Sequence, residues 1–192
     1  MESTKSKIVG GIALVVLFGL SLFYLLKPSS YLGMELNPAT EAAPISLTDS
    51  NGNLFQLANQ RGKIVLVFFG YTNCPDECPI TLAKLKQALQ ELGDSQAENI
   101  EVVLVTTDPV RDSVERLHEY VTKFNPAFLG VTGTVDELQP VWDSYGVVVE
   151  DGGETHSELV YVIDATGKLR LTFSSDLQSQ DIAHDLQALL SE

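Results

Sequence analysis

Two short apolar runs on either side of an amphipathic segment constrain the fold of this chain more than any other feature. Residues 63–69 (KIVLVFF) and 100–106 (IEVVLVT) are rich in β-branched side chains, which is typical of strands that are buried on both faces. Between them, over residues 79–92, leucines recur at helical spacing. Strands separated by a helix run parallel, because the helix carries the chain back across the sheet. The sequence therefore predicts an α/β fold built on a buried parallel pair.

Further elements extend this core. Apolar residues on both sides of Asn51-Gly52 predict an opening β-hairpin, because Asn-Gly is a strong hairpin signal. The remaining predictions are helices over 112–124 and 134–145, strands over 159–163 and 169–173, and a closing helix over 180–190. The last two strands follow each other directly and pair antiparallel, so the central sheet is mixed, with helices on both faces. This order predicts a thioredoxin-like fold.

The N-terminus predicts a membrane anchor. Residues 8–26 contain no charge and no proline, and a helix of this length spans about 28 Å, close to the ~30 Å hydrocarbon core of a bilayer. Lys5 and Lys7 precede the run, so residues 1–7 are predicted to be cytoplasmic. The alternative is a cleaved signal peptide, whose apolar region is usually shorter and ends at small residues. The length of the run and its exit sequence favour an uncleaved, single-pass transmembrane helix.

The remaining chain is predicted to be exported. Residues 27–44 contain three prolines among small and polar residues, which predicts a linker. Residues 45–192 then form the extracytoplasmic domain, on the periplasmic side of a bacterial inner membrane or its equivalent. The chain has 12 Lys and Arg against 26 Asp and Glu, a net charge of −14. Nucleic-acid binding depends on basic side chains that neutralise phosphates, so no nucleic-acid partner is expected.

Both cysteines lie in one motif, Cys74-Pro-Asp-Glu-Cys78, between a predicted strand and a predicted helix. A helix N-terminus favours the thiolate, which is the nucleophilic and metal-binding form of cysteine. A structural disulfide is the simplest alternative, but so short a loop adds only about 2 kcal/mol of stability in the chain-entropy model. Two cysteines are too few for an iron–sulfur cluster with four cysteine ligands or for an all-cysteine zinc site.

One of the three histidines is placed near this motif by the predicted topology. His156 immediately precedes the strand at 159–163, and in a thioredoxin-like fold the loop entering this strand approaches the cysteine loop. Two thiolates and one imidazole suit three-coordinate Cu(I), and they could hold Cu(II) with an added oxygen or water ligand. His118 and His184 lie on predicted helices, and we expect both side chains to face solvent.

Four motifs resemble the Sco family, also called SenC. They are FFGYTNCPDECPITL at 68–82, TTDPVRDSVERLHEYVTKF at 106–124, FLGVTGT at 128–134 and HSELVYVIDATGKL at 156–169. The resemblance covers roughly residues 45–190. Members of this family are membrane-anchored copper proteins that assist the assembly of cytochrome c oxidase. The resemblance thus implies a thioredoxin-like copper-binding domain behind one N-terminal transmembrane helix.

The resemblance also implies roles for individual residues. Cys74, Cys78 and His156 would be the copper ligands. Asp108 is similar to an acidic residue often found near the family's site, but we do not assign it as a ligand, because an Asp that ends a strand is as often a helix-capping or hydrogen-bonding residue. Asn73 departs from the pattern, because many relatives carry histidine there, and this removes a possible extra imidazole. The implied partners are cytochrome c oxidase subunit II, at its binuclear copper centre, and other copper carriers.

The sequence leaves more than one function open. The leading hypothesis is a copper chaperone. The alternatives are a membrane-anchored thiol–disulfide oxidoreductase or thioredoxin-like peroxidase, in which Cys74 and Cys78 are a redox-active pair, and a membrane-tethered redox or copper sensor. Typical thioredoxin-type oxidoreductases use C-x-x-C, and disulfide exchange does not require His156. The spacing of the cysteines and the histidine therefore favour copper.

Overall fold

A computed structural model describes residues 31–150, 153 and 158–192. The strands are β1 (Met34–Glu41), β2 (Ser46–Asp49), β3 (Leu54–Gln56), β4 (Ile64–Gly70), β5 (Ile100–Thr106), β6 (Leu129–Thr132), β7 (Val160–Ile163) and β8 (Lys168–Phe173). The helices are α1 (Glu77–Leu92), α2 (Asp94–Ala97), α3 (Val114–Val121), α4 (Val135–Ser144) and α5 (Ser179–Leu190), with a 3-10 turn at Leu57–Gln60. The strands form one sheet in the order β1-β8-β7-β4-β5-β6-β2-β3.

β4 and β5 form the centre of this sheet. They pair in parallel from Ile64 opposite Ile100 to Gly70 opposite Thr106, and every residue of β4 is buried. β6 continues the parallel arrangement beside β5, whereas β7 pairs antiparallel with β4. The parallel pair predicted from the two apolar runs is confirmed. Because β4 and β5 run in the same direction, the loops that follow Gly70 and Thr106 leave from the same edge of the sheet.

Successive side chains of β4 serve two separate cores. Leu66 and Phe68 pack in a cluster with apolar residues of α1, α3 and α5. Val67 and Phe69 point to the other face and pack with α4 and the β2–β3 hairpin. Each large side chain buried in this way contributes about 1.5–3 kcal/mol relative to exposure, which explains why the strand carries no polar residue. The predicted mixed sheet with helices on both faces is confirmed.

The predicted hairpin is confirmed as well. β2 and β3 pair antiparallel, and the Asp49 carboxylate accepts hydrogen bonds from the backbone N–H groups of Asn51 and Asn53. The helix predicted over 79–92 begins two residues earlier, at Glu77. Pro79 is tolerated there because the N–H groups of the first helical turn have no intrahelical acceptor.

The start of the folded unit differs from the prediction. β1 lies within the segment 27–44, which was predicted to be a linker, and it pairs antiparallel with β8. Proline is compatible with a strand at the edge of a sheet, and the register shifts between Glu35 and Thr40, on either side of Pro38. The compact unit therefore begins at Tyr31 rather than at residue 45.

The predicted anchor at residues 8–26 lies outside the described residues, as does the cytoplasmic segment 1–7 before it. Within the part of the chain that the structure describes, no helix has the length and hydrophobicity needed to cross a bilayer.

Candidate metal centre

The two cysteines lie where β4 is followed by α1. β4 ends at Gly70, and Cys78 is the second residue of α1. Both cysteines are free thiols, and the backbone N–H of Cys78 donates a hydrogen bond to Sγ of Cys74 at 3.4 Å. The N–H groups of the first helical turn carry the positive end of the helix dipole. The sulfur of Cys74 is therefore held where a negative charge on it would be stabilised.

The sulfur of Cys78 is buried against the end of β4. The residue is 4% exposed, and a Cβ atom at Gly70 would come within 2.6 Å of its Sγ atom. Only glycine leaves room for the sulfur at this point of the strand. Burial raises the pKa of the Cys78 thiol, and a backbone hydrogen bond from Tyr71 offsets part of this effect. A buried thiol of this kind favours its neutral form, and a bound cation would favour the thiolate instead.

A buried carboxylate fixes the cysteine loop. Asp112 is 0% exposed and accepts hydrogen bonds from the backbone N–H of Thr72 at 3.1 Å and from its hydroxyl at 2.5 Å. It also accepts one from the hydroxyl of Thr106, at the end of β5, at 2.7 Å. Arg116 Nε donates to Thr72 Oγ1 at 2.8 Å. Through these contacts the cysteine loop, the end of β5 and the start of α3 hold one another in place.

Asp108 is occupied by contacts within the protein. Its carboxylate pairs with the guanidinium of Arg111. Its backbone N–H donates to Thr106 Oγ1 at 2.9 Å, and its carbonyl accepts from the backbone N–H groups of Arg111 and Asp112. Asp108 thus makes an ion pair and hydrogen bonds within the protein.

His156 lies outside the described residues, but its described neighbours are fixed at the same edge of the sheet as the cysteines. On one side, the carbonyl of Gly153 accepts a hydrogen bond from the hydroxyl of Thr107 at 2.6 Å. Gly153 has a φ of +81°, and a Cβ atom there would lie 2.5 Å from Cβ of Asp108. On the other side, Val160 is paired with Phe68 of β4. The chain thus enters residues 154–157 beside the end of β5 and leaves them beside β4.

The other two histidines are exposed, as predicted. His118 is exposed on α3, and the half-exposed His184 contacts the carboxylate of Asp185 through Nδ1 at 3.0 Å. Among residues 31–150, 153 and 158–192, no three His, Cys, Asp or Glu side chains are grouped so that they could hold a metal ion.

Sequence reasoning missed two residues beside the cysteines. Asp112 directly precedes Ser113, and both residue types cap helices. Ser113 is the N-cap of α3 and accepts from the backbone N–H of Arg116 at 3.2 Å. A helix needs only one N-cap residue. Because Ser113 fills that role, the presence of Asp112 just before it could have indicated that Asp112 has another function. Tyr120, whose hydroxyl is buried, lies beside the apolar stripe of its helix and carries no distinctive sequence signal.

Comparison with known proteins gives consistent matches. A sequence model of the SCO1/SenC family matches residues 34–191, a range that includes β1. The SCO2-like protein RP587 of Rickettsia prowazekii is 31% identical to this chain over 199 residues, covering 95% of this chain and 96% of that protein.

Solved structures that contain copper are similar to this one. Bradyrhizobium japonicum ScoI with copper bound aligns with a TM-score of 0.68 and 30% identity, covering 78% of this chain and 99% of that chain. Yeast Sco1 with copper bound aligns with a TM-score of 0.71 and 30% identity, covering 80% of this chain and 90% of that chain. Together with the mixed sheet and its covering helices, these matches confirm the thioredoxin-like fold.

Proposed function

This chain belongs to the SCO1/SenC family, and on that premise we propose that it is a membrane-anchored copper chaperone for the assembly of cytochrome c oxidase. The observation that carries the proposal is the pair of free cysteines at one edge of the sheet. Both flanks of the segment that contains His156 are fixed at that same edge. Soft thiolates and an imidazole are ligands that suit copper.

The proposed ligands are Cys74, Cys78 and His156. The surroundings of the sulfurs fit this role, because Gly70 leaves space beside Cys78 and the first turn of α1 faces Cys74. His156 is three residues after Gly153, so their Cα atoms are separated by at most about 11 Å. That bound keeps His156 close to the loop after β5, which leaves the sheet at the same edge as the cysteine loop. The similar copper-bound structures support copper as the metal.

Copper is the cargo of this proposed function. The protein would receive copper from another carrier and pass it to the binuclear copper centre of oxidase subunit II. Cu(I) replaces the thiol protons on loading, so binding releases protons. A site with three protein ligands leaves the metal open to a further ligand from the recipient, which stepwise transfer requires.

Anaerobic titration of the reduced full chain with Cu(I) tests the ligand set. We expect about one copper per chain, with tight binding lost in Cys74→Ser and Cys78→Ser and markedly weakened in His156→Ala, because each change removes one ligand. Oxidation to a Cys74–Cys78 disulfide should also abolish tight binding, since no thiolate remains. His118→Ala is the matched control, because that side chain is exposed on α3. Equal binding by the reduced and oxidised chains would contradict the proposal.

A second candidate function is the reduction of cysteines in a target protein. The free thiols and the helix N–H that points at Cys74 favour it. In this reaction Cys74 and Cys78 would form a disulfide, and the target disulfide would take up the two electrons and two protons to become two thiols.

The two functions differ in their need for His156. His156→Ala removes one proposed ligand but leaves both sulfurs and the helix N-terminus unchanged. If copper delivery is the function, oxidase assembly in cells should fail in His156→Ala as it does in Cys74→Ser, while the thiol–disulfide potential shifts little. If His156→Ala keeps full assembly activity and Cys74→Ser or Cys78→Ser does not, the protein acts as a reductase.

A further inference from the structure

The hydroxyl of Tyr120 is buried and has no hydrogen-bond partner among the residues that the structure describes. Every other buried side-chain nitrogen or oxygen among the described residues has a hydrogen-bond partner. A buried hydroxyl without a partner lowers stability, because it has lost its bonds to water and gained none in return. Such a group suggests an acceptor that becomes available when a ligand binds nearby.

Tyr120 lies beside the cysteine pair. Its ring packs edge-on against Phe124, with the ring centroids 5.5 Å apart, and it contacts the same core cluster as Cys74 and Cys78. It also lines a surface groove together with Thr72 of the cysteine loop. Burial raises the pKa of the Tyr120 hydroxyl, and negative charge on the two sulfurs adds to this effect. Tyr120 thus packs against the core cluster that contains Cys78 and lies beside the loop that carries Cys74.

The neighbouring carboxylate does not supply the missing acceptor. The charge of Asp112 also raises the pKa of the Tyr120 hydroxyl, but the hydroxyl makes no hydrogen bond to this carboxylate, which is held by three other donors. Oδ1 accepts from the hydroxyl of Thr72, and Oδ2 accepts from the backbone N–H of Thr72 and from the hydroxyl of Thr106. The sulfurs of Cys74 and Cys78 are the other candidate acceptors for the Tyr120 hydroxyl. A neutral thiol is a weak acceptor, whereas a metal-bound thiolate is charged and accepts strongly.

We propose that the Tyr120 hydroxyl donates a hydrogen bond to a thiolate sulfur of the Cys74–Cys78 pair when copper is bound, and that Tyr120 is thus a positioning residue of the metal site. The inference rests on the proposed function, since it requires a metal at the cysteines. Hydrogen bonds from outside the ligand shell orient the ligands and tune metal affinity.

The variant Tyr120→Phe tests this inference because it removes the hydroxyl and keeps the ring. We expect the Cu(I) dissociation constant of the full chain to rise about tenfold. The denaturation midpoint of the metal-free chain should stay unchanged or rise, because the lost group had no partner. Tyr145→Phe is the matched control, since the Tyr145 hydroxyl donates to the carbonyl of Ala43 at 2.9 Å in the core on the other face of the sheet. It should lower the midpoint and leave copper affinity unchanged.

A spectroscopic measurement provides a second readout. In the Cu(II)-loaded chain, the sulfur-to-copper absorption band should move to longer wavelength in Tyr120→Phe, because the sulfur lone pairs lose a stabilising hydrogen bond. Wild-type affinity and an unshifted band would overturn the inference, as would a midpoint that falls as it does in Tyr145→Phe. A wild-type chain that binds no copper would overturn the proposed function and this inference together. Copper binding that is insensitive to Tyr120→Phe would overturn the inference alone.

Discussion

At the scale of single residues, the missing side chain at Gly70 determines where the Cys78 sulfur can lie. A Cβ atom at Gly70 would be 2.6 Å from Sγ of Cys78 and 3.1 Å from the ring of Phe68. The substitution Gly70→Ala should therefore displace the sulfur. We expect copper affinity to fall at least about tenfold and the free energy of unfolding to fall by about 1–3 kcal/mol, as overpacking of a core usually costs. Competition titration with a Cu(I) chelator and denaturant unfolding of the full chain measure the two effects.

The control for this prediction is Gly130→Ala in β6. Its added Cβ would lie 2.8 Å from Cβ of Leu117, so it overpacks the same core away from the cysteine sulfurs. Gly130→Ala should cost similar stability and leave copper affinity near that of the wild type. Equal copper affinities of the two variants would show that Gly70 has no specific role at the sulfur.

The second residue-scale prediction concerns Asp112. In Asp112→Asn, an amide N–H₂ replaces one carboxylate oxygen and meets hydrogen-bond donors from Thr72 or Thr106. Hydrogen bonds to charged groups are each worth about 1.5–3 kcal/mol, so unfolding free energy should fall by about 2 kcal/mol or more. Copper affinity should fall as well, because the loop that carries Cys74 loses its anchor. The exposed Asp143→Asn on α4 is the control and should change stability by less than about 0.5 kcal/mol. Wild-type copper affinity in a folded Asp112→Asn chain would contradict the anchoring role.

At the scale of elements, α5 holds the edge strand β1 in place through one buried carboxylate. Asp185 is 0% exposed and accepts from the backbone N–H groups of Leu32 at 2.9 Å and Gly33 at 2.7 Å. In Asp185→Ala both donors lose their partner, so we expect a loss of about 2–3 kcal/mol of unfolding free energy. Amide hydrogen exchange should accelerate first in residues 31–41, because an edge strand opens more easily than the core. Gln187→Ala, exposed on the same helix, should leave this exchange unchanged, and unchanged exchange in Asp185→Ala would contradict the role.

Apolar patterning identified the elements that carry a clear apolar run or a periodic apolar face, and it missed two strands that carry neither. β5 was predicted with its observed bounds, and the prediction for β4 differs by one residue at each end. β1 was not predicted because it contains Pro38 and lies at the edge of the sheet, where β8 is its one partner among the described strands. β6 is four residues long and includes Gly130, so its apolar content is too small to distinguish a strand from a loop.

The candidate site, like the fold, was predictable only in part from the sequence. The order of strand, cysteine motif and helix was sufficient to place both sulfurs at a helix N-terminus. The roles of Asp112 and Tyr120 depend on contacts with a loop that is distant in the chain; Thr72 and Asp112 are 40 residues apart. Local sequence patterns do not report such contacts, because capping residues and aromatic residues are common in helices for other reasons.

At the scale of the whole molecule, the cysteine loop and the residues that support it collect at one edge of the sheet. The cysteine loop follows β4, Asp108 and Asp112 follow β5, and Gly153 is held against the loop after β5. In α/β sheets ligands bind outside the carboxyl ends of parallel strands, and this arrangement conforms to that rule. The net charge of −14 over the full sequence favours solubility and repulsion from anionic lipid.

The last prediction concerns the topology of the full chain. The charge-free run at 8–26, preceded by Lys5 and Lys7, predicts a single span that leaves the folded unit outside the cytoplasm. A reporter that is active only after export, fused at Glu192, should be active, and extraction of the chain should require detergent. Deletion of residues 8–26 is the control and should leave the reporter inactive, because no apolar segment remains to direct export. Reporter inactivity in the full chain would refute the orientation, and release of the chain without detergent would refute the anchor.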